Sequence, residues 1–190
     1  MSSPEEPVRA VVLDYLARGL ADGGRPRYEQ SPVAYAVGVA EFDLYELRLA
    51  DDADIGIGDR ITVAPEAERT AGIEEVGTVE YDDLSGGARS ELEYVVEEIV
   101  EAEEGRFVDF YNEAQPITLR LHQLDLLPGI GETLRNAILD ERKREPFEDF
   151  ADVAERVSGL HDPRETIVER ILEEFRDDDL KYRNFVGGEE

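Results

Sequence analysis

The segment Leu127-Pro128-Gly129-Ile130-Gly131 decides how this chain is read. Apolar residues precede it at Leu119, Leu121, Leu124 and Leu126 and follow it at Leu134, Ala137 and Ile138. Pro128 carries no N–H and stops a helix, and the two glycines can take the backbone angles that a five-residue reversal demands. The spacing predicts one helix over residues 118–127, opened by Pro116, and a second over residues 132–144. Such a turn gathers unpaired N–H groups of the glycines and of the second helix's first turn at one spot, which suits a phosphate oxygen.

A second reversal follows. Phe147, Phe150, Val153 and Val157 lie on one segment, Ser158-Gly159-Leu160-His161 interrupts it, and Asp162-Pro163-Arg164-Glu165 opens a helix carrying Ile167, Val168, Ile171, Leu172 and Phe175. Asp162 caps that helix, Pro163 takes its first position and Glu165 completes a capping box. Four helices and two reversals predict an all-helical double helix-hairpin-helix domain over residues 116–176. Ser158 replaces the first copy's proline and His161 its second glycine, so the second reversal reads as structural.

Upstream, residues 83–115 are predicted as connecting helices. Ser90 and Glu93 form a capping box, and Leu92, Val95, Val96, Ile99 and Val100 share a stripe. Gly105 interrupts the pattern, after which Phe107, Phe110, Tyr111 and Ala114 resume helical spacing, with a strand over 107–111 as the alternative. Downstream, residues 177–190 read as an acidic flexible tail in which Lys181, Tyr182 and Arg183 form a docking strip.

The first half has a period of two. Residues 1–7 are Ser, Pro and Glu rich and expected to be disordered. Residues 8–16 read as helix or strand, and strand is favoured because Val11, Leu13 and Tyr15 alternate with Val12 and Asp14. Val33, Tyr35, Val37 and Val39 alternate with Ala34, Ala36, Gly38 and Ala40. Tyr45, Leu47 and Leu49 repeat the alternation after a short turn, which makes a β-hairpin. Short strands follow at 61–63 and about 73–81. Five strands in residues 8–82, with a long loop after the first, predict a small OB-like β-barrel. The whole chain is therefore α+β, a barrel followed by a helical domain. The long loop holds Arg18, Arg25, Arg27 and Tyr28. They are either phosphate and stacking groups on an oligonucleotide path or members of a solvated loop. Alternation alone accounts for Tyr35 and Tyr45 as packing residues, while Phe42 falls off that face at the turn.

Charge narrows the partners. The chain has 47 acidic and 20 basic residues, a formal charge of -27, and no cysteine. Disulfides, thiolate metal sites and cysteine nucleophiles are excluded, in keeping with a reducing interior. No run of about eighteen apolar residues exists, and the start MSSPEEPVRA lacks the basic and apolar regions of a secretion signal, so a cytoplasmic protein with no membrane partner is expected. Lys143 and Lys181 are the only lysines, and the acidic residues are spread over well-patterned segments. This is the pattern of a halophilic, cytosolic protein. At molar salt the Debye length is about 3 Å, so the charge repels a polyanion only near contact. A nucleic-acid binder there relies on directed hydrogen bonds, stacking and arginine forks.

The run SELEYVVEEIVEAEEGRFVDFYNEAQPITLRLHQLDLLPGIGETLRNAILDERKREPFEDFADVAERVSGLHDPRETIVERILEEF, together with VVLDYLARG, resembles an archaeal family, domain of unknown function 655. The resemblance covers nearly the whole chain. It implies an OB-like barrel joined to a helix-hairpin-helix domain that binds RNA or DNA, and its association with genes for translation, transcription and ribosomal-RNA methylation favours RNA. Carried onto this sequence, Gly129, Ile130 and Gly131 present backbone N–H groups to a phosphate, with Ile130 packing inward and Arg135 the nearest cationic partner. Similar hairpins hold a monovalent cation on their carbonyls, which puts potassium at residues 128–131. No other cofactor is implied. Glu132 departs from the pattern, because a carboxylate at the helix start competes with the anion. Arg142, Lys143 and Arg144 read either as a second phosphate contact or as cations satisfying the helix dipole.

Two functions follow. One is a non-enzymatic RNA-binding protein. The other is an interaction scaffold among ribosomal or transcription proteins, with a purely structural hairpin. An enzyme is disfavoured: His122 and His161 are the only histidines, no cluster has metal-ligand spacing, and no nucleophile stands beside a base.

Overall fold

The computed structural model describes residues 5–18 and 30–187. The chain is α+β and forms two compact units, residues 1–95 with 185–190 and residues 96–184.

The first unit is a five-stranded antiparallel sheet of β1 (Val8–Leu16), β2 (Val33–Gly38), β3 (Leu44–Leu49), β4 (Arg60–Ala64) and β5 (Ile73–Thr78), in the order β4-β1-β2-β3-β5. Register shifts leave one extra residue on β1 (Leu13 against β2), on β4 (Val63 against β1) and on β5 (Glu74 against β3), and bend the strands so that the sheet curls into a half-barrel. It curls without closing: β4 and β5 are its two edges. The concave core is built from Ala10, Val12, Ala34, Ala36, Leu47, Leu49, Ile61 and Val63, with Ile55 added from the β3–β4 connection. Alanine at 34 and 36 leaves room for the curl. Tyr45, opposite Ala36, packs against this cluster, and Tyr35 is buried on the other face with Val11, Leu13 and Val37. Phe42 is fully buried at a positive φ of 57°, so its ring holds the β2–β3 turn in a backbone region that side chains rarely adopt.

Helix α1 (Gly86–Ala102) begins one turn earlier than the Ser90–Glu93 box predicts. Ser85 is the cap: its Oγ accepts the Ala88 N–H at 3.1 Å and donates to Asp14 of β1. A Cβ on Gly87 would lie 2.9 Å from the same Asp14 carboxylate, so the glycine admits this contact. Ser90 sits inside the helix. The stripe from Leu92 to Val100 is buried as patterned.

The second unit continues with α2 (Glu104–Glu113), α3 (Glu132–Arg144), α4 (Phe150–Arg156) and α5 (Pro163–Arg176). The 107–111 segment is helix, not strand. Its Tyr111 hydroxyl donates to the Pro163 carbonyl at 2.6 Å, and burial pushes the phenol's pKa far up. Asn112 exchanges two hydrogen bonds with the Phe147 backbone.

One helix of the predicted four-helix domain is absent. Residues 118–127 hold only a short 3-10 turn, Gln123–Leu126. The reason is local competition: Thr118 Oγ1 accepts the N–H groups of Arg120 and Leu121, and Pro116 bridges His122 across a tight loop. The apolar residues Ile117, Leu119 and Leu121 in fact alternate, as they do in extended chain.

As far as it is described, the tail makes hydrogen bonds to buried side chains of α5. Buried Arg170 donates to the Tyr182 carbonyl at 2.8 Å, and buried Glu174 accepts the Asn184 N–H. Within the first unit, Gly187 N–H donates to the Glu41 carbonyl. Among the described residues no helix is long and apolar enough to cross a membrane.

Candidate nucleic-acid interface

The reversal at 127–131 is built from a buried clamp and an open mouth. Leu127 and Ile130 are buried, and the Ile130 N–H donates to the Leu127 carbonyl at 3.2 Å. Between them Gly129 has φ +77°, a region that an L side chain enters only with strain. Gly131 caps α3 in an extended conformation, φ -97°, with no side chain satisfying the first-turn N–H groups. Neither its backbone angles nor its surroundings demand glycine, since a Cβ there would meet nothing within 4 Å. Both glycines are exposed, so the unfilled helix start faces solvent. Glu132 lies in this first turn, as the sequence indicates. The Pro128 and Gly129 carbonyls accept no backbone hydrogen bond among the described residues.

The second reversal repeats this device with a different ending. Gly159 has φ +96°, Leu160 is buried, and its N–H donates to the Val157 carbonyl at 3.2 Å. One residue further on, Asp162 caps α5 and accepts the Glu165 N–H at 3.0 Å.

Arg135 does not point freely at the mouth of the first reversal. Its Nη1 lies 3.0 and 3.2 Å from the two Asp125 oxygens, and Asp125 also accepts the His122 N–H at 2.8 Å. His122 Nδ1 in turn accepts the Leu124 N–H, so this imidazole must stay neutral to hold the turn. Burial lowers its pKa, and the nearby Arg142 lowers it further. The His122–Asp125–Arg135 chain therefore ties the 3-10 turn to α3. In the sequence its one visible signal is Asp125 three residues after His122, a capping-box spacing.

Arg142, Lys143 and Arg144 occupy the last turn of α3, about 18 Å from the hairpin at 1.5 Å per residue, and so do not join it. Arg142 is half-buried and donates to the Tyr111 carbonyl at 3.2 Å, which fastens α2 to α3. Lys143 and Arg144 are exposed, and Arg144 pairs with Glu141 at 3.3 Å. The C-terminal carbonyls of α3 are satisfied by a residue the sequence did not single out. Arg156 Nη2 lies 2.7 Å from both the Glu141 and Glu145 carbonyls, and its guanidinium stacks 4.6 Å from the Phe147 ring centre. Arg18 is exposed at the end of β1. Arg25, Arg27 and Tyr28 lie outside the described residues.

Residues 6–187 match the model of a family described as "Protein of unknown function (DUF655)". An uncharacterized protein of Methanocaldococcus jannaschii is 38% identical over 178 residues, covering 93% of this chain and 78% of that one. A crystal structure of an Archaeoglobus fulgidus protein assigned to the same family superposes with a TM-score of 0.83 at 38% identity, covering 95% of this chain and 99% of that one. The chain belongs to the DUF655 family.

Proposed function

We propose that this chain, as a DUF655 protein, is a non-enzymatic nucleic-acid-binding protein that holds a phosphate of RNA at the start of α3. One observation carries the reading. Two reversals of matching backbone geometry lead into helices, and where the second fills its helix start with the Asp162 carboxylate, the first leaves the same groups open beneath two exposed glycines. A carboxylate oxygen and a phosphate oxygen make the same request of backbone N–H groups. The first site has the vacancy that the second closes with its own side chain.

The remaining features support the same reading. The two reversals are read as a helix-hairpin-helix pair whose first arm has shrunk to a 3-10 turn. The sheet, with its non-sequential neighbours β1–β4 and β3–β5 and its long β1–β2 connection, is read as an OB-like barrel opened between its edge strands. Arg18, with Arg25, Arg27 and Tyr28 beyond the described residues, supplies its second contact. A potassium ion on the Pro128 and Gly129 carbonyls would offset the Glu132 charge beside the incoming phosphate. The dispersed acidic surface suits a cytoplasm of molar salt.

Crosslinking followed by sequencing from native cells tests the reading. Recovery of RNA crosslinked within residues 127–135 supports it. Recovery of ribosomal or transcription proteins with no nucleic acid overturns it and makes the chain a scaffold.

A further inference from the structure

Ten residues before Gly129 the chain makes a small projecting finger. Pro116 pairs with His122 at its base, Gln115 and Gln123 exchange two hydrogen bonds just outside, and inside the loop the N–H groups of Ile117 and Thr118 both reach the Leu121 carbonyl. Thr118 Oγ1 accepts the N–H groups of Arg120 and Leu121. With so many bonds in so few residues the finger is stiff, yet its tip carries Leu119 at 107% of full exposure. Nothing in the unit packs on this side chain. Beside it Arg120 is exposed and has no carboxylate partner among the described residues, in a chain with more than twice as many acids as bases.

We infer that this finger is a wedge: Leu119 inserts against an unstacked base of RNA while Arg120 holds the adjoining phosphate. The inference rests on the proposed function and names what that interface recognises, an irregular or single-stranded site. A lone apolar side chain is enough to enter a base step, and unstacked bases are where sequence-specific RNA recognition concentrates. A protein partner would need about 800 Å² on this side with an apolar centre. The finger offers one leucine flanked by exposed Thr118 and Arg120. It is also wired to the phosphate site. His122 at its base donates to Asp125, which grips Arg135 one turn into α3, so the wedge and the open helix start belong to one rigid block.

The probe is an RNA hairpin with one unpaired adenosine, 2-aminopurine replacing that base, compared with the same hairpin fully paired. Wild-type protein binds the bulged RNA about tenfold more tightly, as burial of one leucine predicts, and changes the 2-aminopurine fluorescence. Leu119→Ser erases the preference and the fluorescence change with the melting temperature unaltered, and Leu119→Phe retains both. Arg120→Ser weakens binding to both RNAs. If Leu119→Ser keeps the preference while Gly131→Asp weakens binding about tenfold, the wedge is wrong and the phosphate site stands. If Gly131→Asp leaves affinity untouched as well, the proposed function fails with it. Loss of a co-purifying protein from Leu119→Ser, with RNA binding intact, also overturns the wedge.

Discussion

The reversals at 127–131 and 157–161 differ in how they end more than in how they turn. Both put a glycine at strongly positive φ, both bury the next residue, and both close with an N–H to carbonyl bond of 3.2 Å. The second then spends one more residue, reaches Asp162 and Pro163, and satisfies its helix start internally. The first goes straight into α3 from Gly131 and leaves that start uncapped. Their surroundings differ too: a Cβ on Gly159 would lie 3.2 Å from Leu134, whereas one on Gly129 would meet nothing. The second reversal is packed and closed, the first is open on both counts. Two turns of like backbone geometry thus differ in that one closes its helix start with a carboxylate and the other leaves it without a side-chain cap.

The contact with Leu134 gives the largest expected effect. Gly159→Ala should lower the unfolding free energy by about 2 kcal/mol, and Gly129→Ala by about 1 kcal/mol, since both take the left-handed penalty and only the first adds a crowded contact. Urea denaturation of the two variants measures this, and equal losses would break the packing half of the comparison. Gly131→Asp copies the second reversal's ending onto the first. RNA affinity in molar potassium chloride should fall about tenfold, or about 1.4 kcal/mol, with stability changed by only a few tenths of a kcal/mol. Asp162→Ala removes the carboxylate that closes the second copy. It should cost about 1 kcal/mol of stability and leave RNA affinity alone, and a loss of affinity would show that the second copy is not merely structural.

The smallest effect comes from the turn that leads into the first reversal. Because burial holds the His122 pKa below its ordinary value, the unfolded chain takes up the proton first as pH falls. Its contribution is complete above about pH 6.5 and is lost progressively below that, toward the lowered folded value. The melting temperature should therefore decline with acidification over that window. His122→Asn keeps an acceptor for the Leu124 N–H and should flatten the decline; parallel curves for variant and wild type would discharge His122 from this role.

Much of this molecule is written in local pattern. Alternation at Val8–Leu16 and Leu44–Leu49, the stripe of α1 and the starts of α3 and α5 depend on spacing and capping chemistry that act within a few residues. The reversal at 127–131 was legible for the same reason, since Pro128 and Gly129 act on their own backbone. Where the reading failed, a partner distant in sequence or a competing side chain had intervened. Ser85 rather than Ser90 caps α1 because Asp14, 71 residues away, holds its hydroxyl. Residues 118–127 read as helix because five leucines masked the Thr118 bonds that stop it. Nothing local shows that Arg170 and Glu174 are buried and hydrogen-bonded to the tail.

Local spacing and turn residues were enough to place a β-rich first half, a helical second half and the first reversal, because they act within a few positions of the chain. Which of the described arginines are engaged depends on contacts that local pattern does not carry. Arg135 is held by Asp125 and Arg142 is drawn to the Tyr111 carbonyl, whereas Arg120, beside a fully exposed leucine, has no carboxylate partner among the described residues. Charge is a property of the residue, but its availability depends on which oxygens the fold brings within about 3 Å of it.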